Sequence, residues 1–333
     1  MNKALLNNHT SIPLSASGIA AKGIPAGSTT PFTTASDVSV AIITRNRIAD
    51  LRVLLAELNR QRYIPRTIIV IDNASADDTS GIAEEYSGRI PLRYFRCEEI
   101  GVNPARNMAL HRCGTRYIAF IDDDAIPDKE WLAELQAMIN SNPGAAAIVG
   151  VKDNYYPDEL IPSVIQFTSR DIAMDRDRLG ERVLSPTIMD TCNLLLDLET
   201  LKRHNLSFAG GFSRGEDRHL GHQLMHRNLP IIFAERSIVW HKWPRGLRAY
   251  VRLRWLGGQA PLHIRMSIGE RTYKADTQQR NEHFRIGALL RRRIPSCWPF
   301  TKRALFVALV AAGIIISKCG YHYARIFYHR HDT

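Results

Sequence analysis

The sequence predicts an α/β protein, a mostly parallel sheet flanked by helices and followed by a basic, helical, membrane-associated C-terminal region. Three observations predict it. Short β-rich runs recur at the spacing of βαβ units, helical patterns fill the intervals between them, and the runs end in polar clusters. The strand candidates are Val38–Thr44, Thr67–Asp72, Leu92–Phe95 and Tyr117–Asp122, with Ala146–Val151 as a fifth. Between them, Ile48–Gln61 places Leu51, Leu54, Leu55 and Leu58 on one helical face, and Asp77–Ser87, Pro104–His111 and Lys129–Asn140 read as further helices. Near-continuous apolar runs such as VSVAIIT and TIIVID belong to strands covered on both faces. Ligands on such sheets bind beyond the carboxyl ends of the strands. There the sequence puts Thr44-Arg45-Asn46, Asp72-Asn73 and Asp122-Asp123-Asp124.

With 45% hydrophobic and 23% charged residues, the 333-residue chain has an ordinary globular composition, which excludes a disordered, collagen-like or polytopic membrane protein. Its five cysteines stand far apart with no CxxC pair, so a reducing compartment is expected and a disulfide framework or zinc site is not. The net charge of +11 divides unevenly. From Lys242 onward there are 18 basic and 4 acidic residues, a net +14, which leaves −3 on the first 241 residues. A basic tail of this kind meets phosphates on lipid or nucleic acid. No nucleic-acid recognition motif accompanies its arginines, so a membrane surface is the expected partner and nucleic acid is not.

The two ends carry separate expectations. Residues 1–36 are rich in Ser, Thr, Ala, Gly and Pro with only Lys3 and Lys22 charged, and read as a flexible leader without the apolar core of a secretory signal. Near the other end, Ala304–Ile316 is uncharged, preceded by Arg291-Arg292-Arg293 and Lys302-Arg303 and interrupted by Lys318. It is shorter than the roughly 20 apolar residues of a bilayer span. Its basic flank predicts an anchor that leaves the body on the cytoplasmic face of the plasma membrane. The alternative is a helix buried against the body.

Three consecutive carboxylates after YIAFI repel one another, and a cation resolves the conflict. Side chains at i and i+2 of an extended segment point the same way, so Asp122 and Asp124 face one site while Asp123 turns elsewhere. Oxygen ligands favour Mg²⁺ or Mn²⁺ and leave coordination positions for a substrate diphosphate. A solvated turn with a helix cap before Asp128–Leu135 is the competing explanation. Glu216 and Asp217 open a helical pattern, Arg218–Arg227, where acids at a helix N-terminus suit the macrodipole. His219, His222 and His226 then read as a polar helix face, and Ile231–Trp240 as a strand leading to His241.

The order Thr44-Arg45-Asn46, VIDNASADDT at Val70–Thr79, GVNPARNMAL at Gly101–Leu110 and FIDDD at Phe120–Asp124 resembles the nucleotide-binding half of family 2 glycosyltransferases. GGFSRGEDRHLGHQL at Gly210–Leu224 and IVWHKWP at Ile238–Pro244 are similar to that family's acceptor half. The resemblance covers about residues 38–244. It implies a GT-A fold, a nucleotide-diphosphate sugar donor (usually UDP), a divalent metal (Mg²⁺ or Mn²⁺) and transfer with inversion. It also implies a glycosyltransferase domain over residues 37–244, with 37–150 the nucleotide-sugar half and 151–244 the acceptor half, followed by the basic region 245–333.

By the same resemblance, Thr44 and Asn46 line the nucleotide pocket, Asp72 meets the base and Arg106 approaches the base or ribose. Asp122 holds the ribose or metal, and Asp124 the metal. One of Glu216 and Asp217 becomes the catalytic base, Asp217 in the first instance, with Gly210 and Gly211 allowing close approach there. His241 completes the metal site in some relatives, the alternative being a packing role. Beyond Trp243, the arginines at 245, 248, 252, 254 and 265 mix with Tyr250, Trp255 and Leu256, which suits a membrane surface bearing a saccharide or polyprenyl-diphosphate-linked acceptor. That layout is similar to bacterial exopolysaccharide glycosyltransferases. A sugar nucleotidyltransferase would open with a glycine-rich loop after the first strand, and Thr44-Arg45-Asn46-Arg47 contains no glycine.

Overall fold

The structure, a computed structural model, describes residues 37–169, 189–209, 214–269, 294–295 and 297–329. The expected leader, the charged stretch 171–183, Gly210, Gly211 and Arg291-Arg292-Arg293 lie outside the described residues.

One half of the sheet is the parallel one that the spacing predicts. Strands β1 (Val38–Thr44), β2 (Thr67–Asp72), β3 (Leu92–Arg96) and β4 (Tyr117–Ile121) lie in the order β3-β2-β1-β4, with Val40 opposite both Ile68 and Ala119. The other half is mixed. Strand β7 (Asn193–Asp197) runs antiparallel to β4 and to β6 (Ala147–Asn154). Strand β8 (Ile231–His241) is parallel to β6, and the short β5 (Ala125–Pro127) closes the edge antiparallel to β8. The fifth strand expected from sequence is therefore displaced by one place from β4. The intruder, β7, has no sequence motif and pairs in the opposite direction.

Alternation along the strands sorts the core into two layers. Val38, Val40 and Ile42 of β1, Ile68 and Val70 of β2 and Ala119 and Ile121 of β4 pack with Leu51, Leu54, Leu55 and Leu58 of helix α1 (Ile48–Leu58). Helix α4 (Trp131–Ser141) adds Trp131, Leu132 and Leu135 to that face. The intervening residues Ala41, Ile69, Ile71, Ile118 and Phe120 point to the other face, against Ala105 and Ala109 of α3 (Val102–Arg112). Period-2 side chains with both faces buried explain why these runs look uniformly apolar in sequence.

The helix expected over Asp77–Ser87 is a correction. It is realised only as a 3-10 turn, Thr79–Gly81, and a single turn of α2 (Ile82–Glu85). The Asp77 carboxylate accepts from the Ile48 backbone N–H (3.2 Å) and from the Thr79 hydroxyl. Such side-chain bonds compete with helical ones and hold the loop beside β1.

A third apolar cluster lies under the C-terminal helices. Val164, Ile165 and Phe167 of α5 (Leu160–Ser169) meet Trp243, Tyr250 of α8 (Leu247–Ile268), and Phe306 and Val310 of the last helix. The short α6 (Leu198–Arg203) and α7 (Glu216–His226) precede that region in the chain, and α9 (Phe300–His329) closes the described structure. Helices α8 and α9 touch backbone to backbone: a Cβ at Gly258 would stand 2.0 Å from the Ser317 carbonyl oxygen. The Tyr250 hydroxyl donates to the Leu309 carbonyl (2.7 Å) across the same seam.

The apolar segment outruns the Ala304–Ile316 expectation, since Phe300–Ile326 is long and apolar enough to cross a membrane, with a mean hydropathy of 2.0. Phe306, Val310 and Ala324 are buried, whereas Leu305, Val307 and Ile315 are exposed. Packing against the body and an outward apolar face thus coexist on one helix.

Because only glycine fits at the seam, Gly258→Ala should destabilise the protein by about 1–3 kcal/mol through overpacking and speed hydrogen exchange in α9. Gly257→Ala, whose Cβ meets open space, should leave exchange unchanged and hold or raise Tm, since alanine is the better helix former. Thermal denaturation and exchange mass spectrometry of the pair read the contrast.

Candidate active site

The aspartates stand where β4 leaves the sheet. The antiparallel register of β5 and β8 sets Ala125 opposite His241, which carries the imidazole onto the preceding acids. His241 Nε2 lies 3.5 Å from Asp122 Oδ2 and 3.2 Å from Asp124 Oδ1. The acids leave the strand in a turn, with the Ala125 N–H donating to the Asp122 carbonyl (3.0 Å), rather than in the extended segment the sequence suggests, and Asp123 makes different contacts. It accepts from the Thr44 hydroxyl (2.8 Å) and pairs with Arg47 (3.2 Å), whose same nitrogen lies 2.9 Å from Asp124 Oδ2.

Burial alone would raise Asp122 and Asp124, but hydrogen bonding to His241 outweighs it and holds both below the usual carboxylate range. Burial would likewise lower His241, and the same two carboxylates instead push it up to about 9. Asp123 has no such partner, and burial pushes it up to about 7 despite Arg47. In this state the imidazolium supplies the positive charge that the paired aspartates require.

A cation fits the same corner. Asp122, His241 and Cys192, the residue before β7, each offer a ligand atom, and these atoms all lie within 4.8 Å of one another. Asp124 is not among the three: its carboxylate faces Arg47 and His241, while an imidazole beside the half-exposed Asp122 suits a borderline divalent ion such as Mn²⁺. Nothing in the sequence singles out Cys192. It is fully buried, and burial together with Asp122 pushes its thiol well above the ordinary range. Beside it, the Asn193 amide donates to the Val151 and Ser237 carbonyls (3.0 and 2.9 Å) and accepts from the Trp131 indole (2.8 Å), tying β7 to its neighbours.

The residues expected around a nucleotide occupy the ends of β1 and β2 and the α3 surface. Thr44 is buried with its hydroxyl committed to Asp123. Asn46 adopts φ 54°, a conformation asparagine tolerates, and its side chain accepts from the Ala76 backbone N–H (2.6 Å). Asp72, fully buried, accepts from the Ser75 N–H (2.8 Å), the Tyr94 hydroxyl (2.6 Å) and Arg96 (3.0 Å). Burial would raise its pKa, and these bonds bring it below the usual value. Arg106, expected near the base or ribose, instead points to α7: its guanidinium donates to Glu216 and to the Thr191 hydroxyl (2.5 Å) and lies over the Phe208 ring.

Glu216 and Asp217 sit in the first turn of α7, after Gly215 at φ 93°, a left-handed position that favours glycine. Glu216 is buried and paired to Arg106. Asp217 is half-buried, and burial followed by repulsion from Glu216 and Asp190 pushes its carboxyl up to about 7. His219 and His222, read from sequence as a polar surface, are instead 3% and 2% exposed; the His219 ring bonds the Ser267 hydroxyl of α8 (2.6 Å), so α8 covers that side of α7.

A cavity of about 640 Å³ joins these parts, lined by Asp122, Asp124 and His241 and by Arg106, Glu216 and Asp217. Lys152 and Asp190, which no motif marks, line it as an ion pair, with the ammonium 4.8 Å from the Trp243 ring centre. Arg254 of α8 and Lys318 of α9 complete it from the C-terminal helices.

This acid-rich pocket lies at the carboxyl edge of a half-parallel sheet with helices covering both faces, the place where such folds bind their ligands. The comparisons give the class. The family model described as Glycosyl transferase family 2 matches residues 39–196, and this stretch of the chain belongs to that family. A hyaluronan synthase of Pasteurella multocida is 34% identical over 98 residues, covering 28% of this chain and 10% of that protein. The succinoglycan biosynthesis protein ExoM of Rhizobium meliloti is 28% identical over 124 residues, covering 36% and 40%. The chain thus spans well under two thirds of these curated relatives. Among solved structures, a mannosyltransferase from Pyrobaculum calidifontis, in complex with GDP-Man and Mn²⁺, superposes with a TM-score of 0.56 at 18% identity, covering 87% of this chain and 88% of that one. Staphylococcus aureus TarS gives 0.51 at 15%, covering 86% and 91%. The fold is therefore the GT-A type that the motif order implies.

A metal ligand must be a neutral imidazole, and His241 is protonated up to about pH 9. Divalent-ion affinity should therefore strengthen as pH rises from 6 towards 9. His241→Phe should bind more weakly and flatten that dependence. Calorimetric titration of Mn²⁺ across this range checks both outcomes.

Proposed function

We propose that the protein is a metal-dependent inverting glycosyltransferase that moves a sugar from a nucleotide-diphosphate donor, UDP-sugar in the first instance, to a saccharide or polyprenyl-diphosphate-linked acceptor in surface polysaccharide synthesis. The observation that carries this reading is the meeting, in one cavity, of the Asp122-Asp124-His241 corner with the Asp217 carboxyl. The named relatives support it: ExoM is a succinoglycan biosynthesis protein, and solved neighbours are complexes with UDP-GlcNAc and GDP-Man.

Asp122, Asp124 and His241 would hold Mg²⁺ or Mn²⁺, which when bound neutralises the donor diphosphate and the charge developing on its leaving oxygen. Thr44 and Asn46 shape the turn beside the nucleotide, and Asp72, fully buried and already bonded by Ser75, Tyr94 and Arg96, fixes the end of β2 beneath the base pocket. Arg106 holds Glu216 in place and with it the first turn of α7. Asp217 is left to take the acceptor hydroxyl's proton as the new bond forms on the face away from the diphosphate. Its carboxyl titrates near 7, so it is a stronger base than an exposed aspartate and is still substantially ionised at neutral pH. Glu216, already held by Arg106, supports rather than replaces it.

The basic C-terminal region and the outward apolar face of α9 favour residence on the cytoplasmic face of the bacterial plasma membrane. Nucleic acid has no role in this reading.

The decisive experiment incubates the protein and membranes with UDP-, GDP- and dTDP-sugars plus Mn²⁺ or Mg²⁺ and measures nucleotide release; no release with any donor overturns the reading. Asp124→Asn should abolish turnover and weaken donor binding. Asp217→Asn should spare donor binding and slow transfer by about 10²–10⁴-fold. Because the base acts when ionised, wild-type kcat should rise with pH through about 7 and level off above it.

A further inference from the structure

Most charges lining the cavity are compensated in pairs. Arg106 is held by Glu216, Lys152 by Asp190, and His241 by Asp122 and Asp124. The wall made by the approach to α7 and by α8 and α9 is different. Arg214, Arg254 and Lys318 line the same cavity, and none of them has a carboxylate partner among the described residues.

Arg254 is the most constrained of the three. Its Nη1 donates to the Thr168 carbonyl (3.0 Å) and its Nε to the Gly313 carbonyl (3.5 Å). Both acceptors are neutral, so they aim the guanidinium without cancelling its charge. Burial, together with repulsion from Arg214 and Arg218, lowers its hold on its proton. Like charges gathered on a half-enclosed wall cost free energy until an anion arrives. A neutral saccharide would leave that cost in place, and the donor's own diphosphate already has its place at the aspartate corner.

Resting on the glycosyltransferase reading, we propose that Arg214, Arg254 and Lys318 form an acceptor subsite for a phosphate or diphosphate, so that the acceptor is a phosphorylated glycan or glycolipid rather than a free sugar. Guanidinium groups suit this task, since their planar donors match phosphate oxygens in pairs. Two sources supply the same chemistry: a lipid diphosphate reaching the wall from a membrane, and a phosphate on a soluble or polymeric glycan. Lys318 lies on the helix whose outer face is apolar, which gives a membrane-held source a short route.

The test uses the full-length protein in EDTA, so that the aspartate corner carries no cation and repels anions. Inorganic pyrophosphate, farnesyl diphosphate and farnesol are titrated calorimetrically. Pyrophosphate should bind, with an affinity that falls as salt rises, and farnesol should not. Arg214→Gln and Lys318→Gln, both at exposed positions, should each weaken pyrophosphate about tenfold; Arg254→Gln should do so more strongly, its fold checked by circular dichroism. Farnesyl diphosphate binding more tightly than pyrophosphate assigns the lipid source, and equal affinity assigns the free-phosphate source. No pyrophosphate binding by the wild type, or unchanged affinity in the Arg214→Gln/Lys318→Gln double variant, overturns the subsite. Donor binding with Mn²⁺ is measured on the same preparation. Its loss would sink the glycosyltransferase reading while leaving an arginine-dependent pyrophosphate site standing.

Discussion

The constraint on which the rest of the structure depends is the crowding of three carboxylates where β4 leaves the sheet. The fold supplies partners from distant parts of the chain, and the acids share them: His241 meets Asp122 and Asp124, and Arg47 meets Asp123 and Asp124. Thr44 and Arg47 come from the end of β1, and His241 from the end of β8. Strand β5, only three residues long, exists to hold that arrangement, because its pairing with β8 sets the imidazole against the acids. Electrostatic compensation at this corner and sheet topology are therefore one problem, solved by adding an antiparallel edge to a parallel half.

The same logic separates two neighbouring acids that sequence treats alike. Glu216 and Asp217 follow the same glycine and share a helical turn, yet Arg106 reaches only the first. Pairing with Arg106 fixes Glu216 in place. Burial, with Glu216 and Asp190 nearby, gives Asp217 a carboxyl near 7. Two adjacent acids are thus given different surroundings by a single buried arginine on another helix.

Much of this was legible in the sequence, and the reason differs by element. The parallel strands declare themselves because both of their faces are buried, leaving runs such as TIIVID with nothing polar in them. Leu51, Leu54, Leu55 and Leu58 mark α1 because a single face carries its packing. FIDDD is visible because repulsion makes such a triplet costly without a purpose. In contrast, β7 and its register, Cys192, and the Lys152–Asp190 pair left no trace. Each depends on residues about 40 or more positions apart coming together, and no local period records that. The Asp77–Ser87 pattern was misleading for a related reason: a carboxylate bonding Ile48 across the fold outcompeted helical hydrogen bonds that looked adequate locally.

The amino-acid order by itself determined the parallel strands β1 to β4 and the helices α1, α3 and α4 between them, where the acids lie along the chain, and that the positive charge is concentrated in the last 92 residues. Those are consequences of periodicity, composition and short-range repulsion, all readable within a window of a few residues. Only the tertiary structure decided which acid Arg106 pairs and which titrates near neutrality, that α9 walls the cavity as well as presenting an apolar face, and that three cations there lack carboxylate partners among the described residues. Solvation and Coulomb energies depend on distances through space, and those distances are set by how the sheet orders its strands.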